Sequence, residues 1–231
     1  MDEILNGIAQ AMQLIVAGDA ALFEIIVLSL QVTGAALVLA TVIGIPLGAA
    51  LGLSRIRARG LITVLLYTGM GLPPVVVGLF VYLMLSRSGP LGSLGWLFTP
   101  NAMIVAQFII AFPLTAGLTM IAVQSIDPAL RLQARSLGAT RIQEVWTILR
   151  EARLGVIAAI VAAFGAIISE VGAVILVGGN IEGRTRVLTT AIVLNTRTGD
   201  FALAIALGLI LLLIAFLVNG AMLCLQRNAV D

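Results

Sequence analysis

Five long apolar runs, at about 22 to 53, 61 to 86, 101 to 124, 154 to 178 and 200 to 225, dominate this chain and leave only short polar stretches between them. A helix that crosses a bilayer needs roughly 20 mostly apolar residues, so each run is long enough to span. The composition agrees: 61% of the 231 residues are hydrophobic and 10% are charged, at a mean hydropathy of +1.16, far outside the mix of a soluble globular domain. The expectation is an all-α membrane protein of about five transmembrane helices. Residues 22–226 form a single membrane domain, with no room for a sizeable soluble one. Any machinery that hydrolyses nucleotide must therefore lie on another chain.

Several function classes recede on composition. The formal net charge is only +2, so the basic pI does not point to nucleic acid. There is no His and a single Cys224, which argues against a metal centre, a redox pair or an internal disulfide. Asp2 and Glu3 open the chain where a cleavable signal would carry basic residues. Residues 3–17, with Ile4, Leu5, Ile8, Met12, Ile15 and Val16 at helical spacing, read as an amphipathic helix in the membrane interface, within an N-terminal segment 1–21.

All thirteen basic residues are arginine, and their placement sets the orientation. With the N-terminus outside and the C-terminus inside, Arg55, Arg57, Arg59, Arg131, Arg135, Arg141, Arg150, Arg153 and Arg227 face the cytoplasm, and Arg87, Arg184, Arg186 and Arg197 face out. A rival topology makes residues 3–17 a sixth span and places the N-terminus inside.

The longest inter-span loop, 125–153, carries its own helix signals. Asp127 is a fitting N-cap, Pro128 suits the first helical position, and Gly138 supplies a stop after Leu130, Ala134 and Leu137. Thr140 with Gln143 matches a capping box, and Ile142, Val145, Trp146 and Leu149 predict one apolar face on a second short helix. The loop reads as a two-helix cytoplasmic knob.

Within that knob, residues 132–151, LQARSLGATRIQEVWTILRE, resemble the cytoplasmic loop of permease subunits of ATP-binding-cassette importers. Its pattern is Glu-Ala-Ala, three residues, Gly, nine residues, Ile, any residue and Leu-Pro. Ala134, Gly138 and Ile148 match at the right spacing. Leu132 and Gln133 replace the Glu and the first Ala, and Arg150 and Glu151 replace Leu-Pro, so the acid of the pattern is missing here. Residues 169–190, SEVGAVILVGGNIEGRTRVLTT, and GLPPVVVGL at 71–79 resemble segments of permeases for molybdate, tungstate and sulfate. SRSGPLG at 86–92 and AIVLNTRTGDF at 191–201 are most similar to the tungstate branch.

The resemblance implies a type I ABC importer permease fold (MetI/ModB-like), with no enzymatic site and no cofactor in this chain. ATP and Mg would sit on a partner ATPase homodimer. It further implies a second copy of the chain, an extracytoplasmic oxyanion-binding protein, and the cytoplasmic membrane of a prokaryote as the setting. Leu132, Gln133, Ala134, Arg135, Gly138, Ala139 and Arg141 would make the contact that couples the ATPase to the membrane helices.

The remaining candidates sit in or beside the spans. Pro73 and Pro74 interrupt the second run and deprive the carbonyls of Gly69 and Met70 of their helical partners. Such a break is either a kink relieved by a neighbouring helix or part of a substrate path. Glu170, next to Ser169, is the acid placed well inside a span. There a carboxylate needs a partner, either a backbone donor or an Arg in a structural role, or else it belongs to a proton relay. Asn180, Arg184, Thr185, Arg186, Asn195, Thr196 and Arg197 gather charge and donors on the outer side, for docking of a partner, for gate structure or for transient anion contact. Gly178, Gly183, Arg184 and Thr185 mimic P-loop spacing, but a P-loop follows a buried strand in a soluble domain, so this stretch reads as a turn. Gly44, Gly48 and Gly52 form a smooth stripe on the first span, for packing within the subunit or for a dimer face.

The leading function is the translocation subunit of an oxyanion importer, tungstate first and molybdate or sulfate as alternatives. A self-contained channel or carrier, which would carry more intramembrane charge or an inverted repeat, and a membrane scaffold are the competing classes.

Overall fold

The computed structural model describes residues 5–9, 12–13, 20–54 and 59–227, apart from the side chains of residues 223 and 225–227. Residues 5–9 are helical, and Gly7 lies against Ile205 and Ala202. Most of the expected interfacial helix, together with Arg55 and Arg57, falls outside the described residues.

Ten α-helices follow: α1 (Ala20–Leu53), α2 (Arg59–Met70), α3 (Pro74–Leu85), α4 (Pro100–Gln124), α5 (Pro128–Ser136), α6 (Arg141–Glu151), α7 (Arg153–Ile168), α8 (Gly172–Gly178), α9 (Leu188–Thr198) and α10 (Phe201–Arg227). There is no strand among the described residues. Among the described residues three helices, α1, α4 and α10 over Phe201–Met222, are long and apolar enough to cross a membrane alone; up to five crossings result if the bent pairs α2–α3 and α6–α7 each count as one.

Two of the five runs are not single helices. The second ends at Met70 and restarts at Pro74, with Pro73 as N-cap and Pro74 in the first turn, where its missing N–H is no loss. Gly69 O does not go unpaired, since it accepts from Leu72 N at 3.3 Å. The fourth run breaks at residues 169–171, between α7 and α8. Glu170 therefore sits at a helix interruption and not within a continuous span. A helix that the apolar pattern did not signal, α9, follows the turn after α8 and ends at Gly199, whose φ of 83° suits a residue without Cβ.

Contacts divide the chain into two compact units. The first comprises residues 1–36, 73–107 and 167–220. Its core joins Leu22 of α1, Leu188 and Ala191 of α9, and Leu207 and Ile210 of α10. Also in this unit, α3 lies against α8: a Cβ on Gly78 would stand 2.6 Å from Ala173 Cα, so only a glycine admits that approach. Phe98 N donates to Val177 O at 2.9 Å, and the Phe98 ring meets Tyr82 edge-on at 6.2 Å.

The second unit comprises residues 37–72, 108–166 and 221–231. Here the glycine stripe finds its partner within the subunit. Gly44 faces Thr115 and Ala116, Gly48 faces Ala116, Thr119 and Met120, and Gly52 faces Val123 and Met120, all on α4. Thr115 Oγ1 donates to Ala40 O at 3.0 Å across the same seam. Small residues let two helices come close enough for such contacts.

Candidate functional site

The knob forms as its local signals dictate. Asp127 Oδ1 accepts from Ala129 N at 2.8 Å, capping α5. Gln143 N donates to Thr140 Oγ1 and Thr140 N donates to Gln143 Oε1, which closes the capping box of α6. Gly138, at φ 80°, makes the turn between them. The predicted single apolar face of α6 divides in two. Val145, Ile148 and Leu149 pack with Ala49, Val123 and Ala152, whereas Ile142 and Trp146 point outward, as do Leu132 and Leu137. Leu132, Gln133, Arg135, Gly138 and Arg141 are exposed; Ala134 and Ala139 are partly covered.

One charged group lies inside the knob. Glu144 is buried and accepts hydrogen bonds from Arg131 Nε through Oε1 and from Arg135 Nε through Oε2, the latter at 2.9 Å. Burial alone would raise its pKa, but the hydrogen bonds from Arg135 and Arg131 and their positive charge outweigh that and hold the carboxyl below its ordinary value. It is a carboxylate at neutral pH. Arg135 is thus engaged inside the knob, and Arg141 is the freely presented cation of the two.

At the second break, Glu170 Oε1 accepts from Ala173 N at 2.9 Å and caps the start of α8. Thr189 Oγ1 donates to Glu170 O at 3.0 Å, and Gln107 Nε2 donates to Ile167 O at 3.0 Å, so two carbonyls at the interruption are met by side chains of the same unit. Of the two structural partners expected for Glu170, the backbone donor is the one present. Ser169, beside it, is exposed. Replacing Glu170 by Ala should remove the cap and cost about 1 kcal/mol, a fall of roughly 2–4 °C in thermal midpoint for a chain of this size. Glu170→Gln keeps an acceptor and should melt near wild type. Equal damage from both substitutions would mean that charge, and not the acceptor, is what matters.

The turn between α8 and α9 is built around Thr185, which is fully buried; its hydroxyl donates to Gly178 O at 2.6 Å and accepts from Ile181 N at 2.9 Å. Thr185 braces the loop and offers no free donor outward. Asn180 adopts φ 52°, and its Oδ1 is buried without a hydrogen-bond partner. Arg184, Arg186 and Asn195 line a cavity of about 370 Å³ together with Glu24, Glu182 and the apolar Leu22 and Leu207. Arg186 pairs with Glu182 at 3.2 Å. Two acids thus offset the two arginines there. Pro73 is exposed and Pro74 half-buried at the start of α3, and Gly172 of α8 approaches Val75.

Residues 44–230 match the family described as binding-protein-dependent transport system inner membrane component. The chain belongs to that family. Among relatives of this inner-membrane component, the tungstate uptake system permease protein TupB of Peptoclostridium acidaminophilum is 42% identical over 99% of this chain and 100% of its own length. A probable anion ABC transporter permease protein of Haloferax volcanii is 45% identical over 86% of this chain and 88% of its own. The fold is like that in the inward-facing MetNI methionine ABC transporter, with a TM-score of 0.72 at 20% identity, covering 94% of this chain and 97% of that one. In this inner-membrane component, sequence reading missed Glu144 as a site residue. The available signal was Arg131 and Arg135 four residues apart, hence on one face of α5, with an acid on the helix that follows.

Proposed function

We propose that the chain forms, with a second copy of itself, the translocation pathway of an ATP-driven importer for a tetrahedral oxyanion, and that the oxyanion is tungstate. The observation that carries the substrate is the likeness, over nearly the whole length, to a tungstate permease. Molybdate and sulfate share the charge and tetrahedral geometry, so selectivity belongs to the external binding protein more than to this chain. The arginine distribution supports an N-terminus outside and a C-terminus inside, with the α5–α6 knob in the cytoplasm, where an ATPase subunit reaches it. The outer cavity suits transit or partner docking better than retention, because Glu24 and Glu182 sit beside Arg184 and Arg186.

The test is reconstitution. Liposomes holding the permease, the ATPase subunit and the binding protein should take up tungstate only with ATP inside, with molybdate as competitor ranking the anions. Arg141→Glu should lower ATPase association about tenfold, as expected for an exposed charge at an interface rim. Tungstate flux through this chain alone would instead favour the self-contained channel.

A further inference from the structure

A lever transmits force only if it is stiff and tied to what it moves. In the second unit α6 bends by 71° into α7, so any movement of the elbow reaches α7 through the chain itself. No such covalent continuity joins the elbow to α1, whose last residue, Leu53, is far away in sequence. The directional tie between them is Arg131. Its Nη1 donates to Leu53 O at 2.9 Å, while its Nε donates to Glu144 of α6. One guanidinium therefore joins α5, which bears it, to α6 and to the C-terminus of α1. At that terminus the carbonyls lack helical donors and carry the negative end of the helix dipole.

Glu144 fixes the direction of that fork. With Arg131 on Oε1 and Arg135 on Oε2 at 2.9 Å, the carboxylate holds α5 and α6 in one register. The apolar cluster beneath, Ile148 and Ala152 on Ala49 and Val123, holds the same helices together but is non-directional. It lets α1 slip or rotate against the elbow. Charge-assisted hydrogen bonds do not.

We propose that Arg131, oriented by Glu144, is the positioning residue that carries movement of the α5–α6 elbow to the inner end of α1, so that the elbow drives a third membrane helix besides α4 and α7, to which the chain joins it directly. The proposal rests on the permease reading above. It assigns to Arg131 a requirement in coupling, with the fold of the elbow left to the caps and the apolar cluster. Lysine cannot replace it, because a single ammonium lacks the planar fork that reaches two acceptors in fixed directions.

Permeases carrying Arg131→Lys or Glu144→Gln, each assembled with the ATPase subunit and binding protein in liposomes, are read for ATP hydrolysis and tungstate uptake in the same vesicles. Both variants are expected to assemble and to hydrolyse ATP within about twofold of wild type, while tungstate delivered per ATP falls about tenfold, the size seen when a coupling element is loosened. Unchanged uptake per ATP in both variants would overturn the proposal, since α1 would then move without the tie. Loss of assembly in both would also overturn it, by showing Arg131 and Glu144 to be a folding brace. Failure of the wild-type complex to import tungstate strikes the permease reading instead, and it is visible before any substitution is made.

Discussion

Gly48→Ala is expected to destabilise the permease severely, although alanine is the better helix former by up to about 1 kcal/mol. A Cβ at position 48 would stand 2.3 Å from the carbonyl oxygen of Ala116 and 3.1 Å from Met120 N. Both are backbone atoms of α4, so no rotamer change relieves the overlap; α1 and α4 must separate along the seam that Thr115 and Ala40 also hold. Overpacking commonly costs about 1–3 kcal/mol, and a contact this short against rigid backbone belongs at or above the top of that range. For a chain of this length that is a fall on the order of 10 °C in thermal midpoint. Gly34→Ala on the same helix meets nothing within 4 Å and should hold or raise the midpoint. Melting both variants in one detergent isolates the seam from helix propensity. Equal midpoints would show that α1 and α4 do not meet as described.

What sequence conveyed and what it did not follow from the range of the interactions involved. The elbow was legible because its signals are local: Asp127 with Ala129, Thr140 with Gln143 and a glycine at the turn lie within a few residues of one another. The break at Pro73 and Pro74 was legible for the same reason, since proline removes a donor wherever it stands. The break at residues 169–171 contains no proline. It is held by Thr189 and Gln107, distant in sequence from the carbonyls they satisfy, and hydropathy sees only a continuous apolar run. In α9 the local signs are Thr190 at the start, whose Oγ1 accepts from Val187 N at 3.1 Å, and Gly199 as stop. The role of Glu144 was opaque because charged residues on a loop between spans are ordinarily solvated, and its burial depends on how α5 folds over α6. The two faces of α6 were equally hidden: periodicity shows that Ile142, Val145, Trp146 and Leu149 share a stripe, not which end of it meets the protein.

That division of α6 yields the second large effect. Leu137 and Ile142 are 88% and 82% exposed, so neither contributes much to the fold, and substitutions at such positions usually change stability by no more than about 0.5 kcal/mol. Yet they flank the turn of the elbow, with Leu132 and Trp146 also uncovered, and in the cytoplasmic placement proposed above, large apolar side chains grouped there mark a surface that another protein covers. Burying each contributes about 1.5–3 kcal/mol. Leu137→Asp with Ile142→Asp removes both contributions and places two carboxylates in the contact. On the partnership proposed above, the ATPase subunit should then bind at least on the order of a hundredfold more weakly and be lost on co-purification, while the permease alone melts within a few degrees of wild type. A complex that survives the double substitution would mean that the ATPase grips another surface. Ile148→Asp is the instructive contrast: Ile148 is 2% exposed within the cluster on Ala49 and Val123, so there association and folding should fail together, because the inward face of the same helix holds the elbow to the membrane domain.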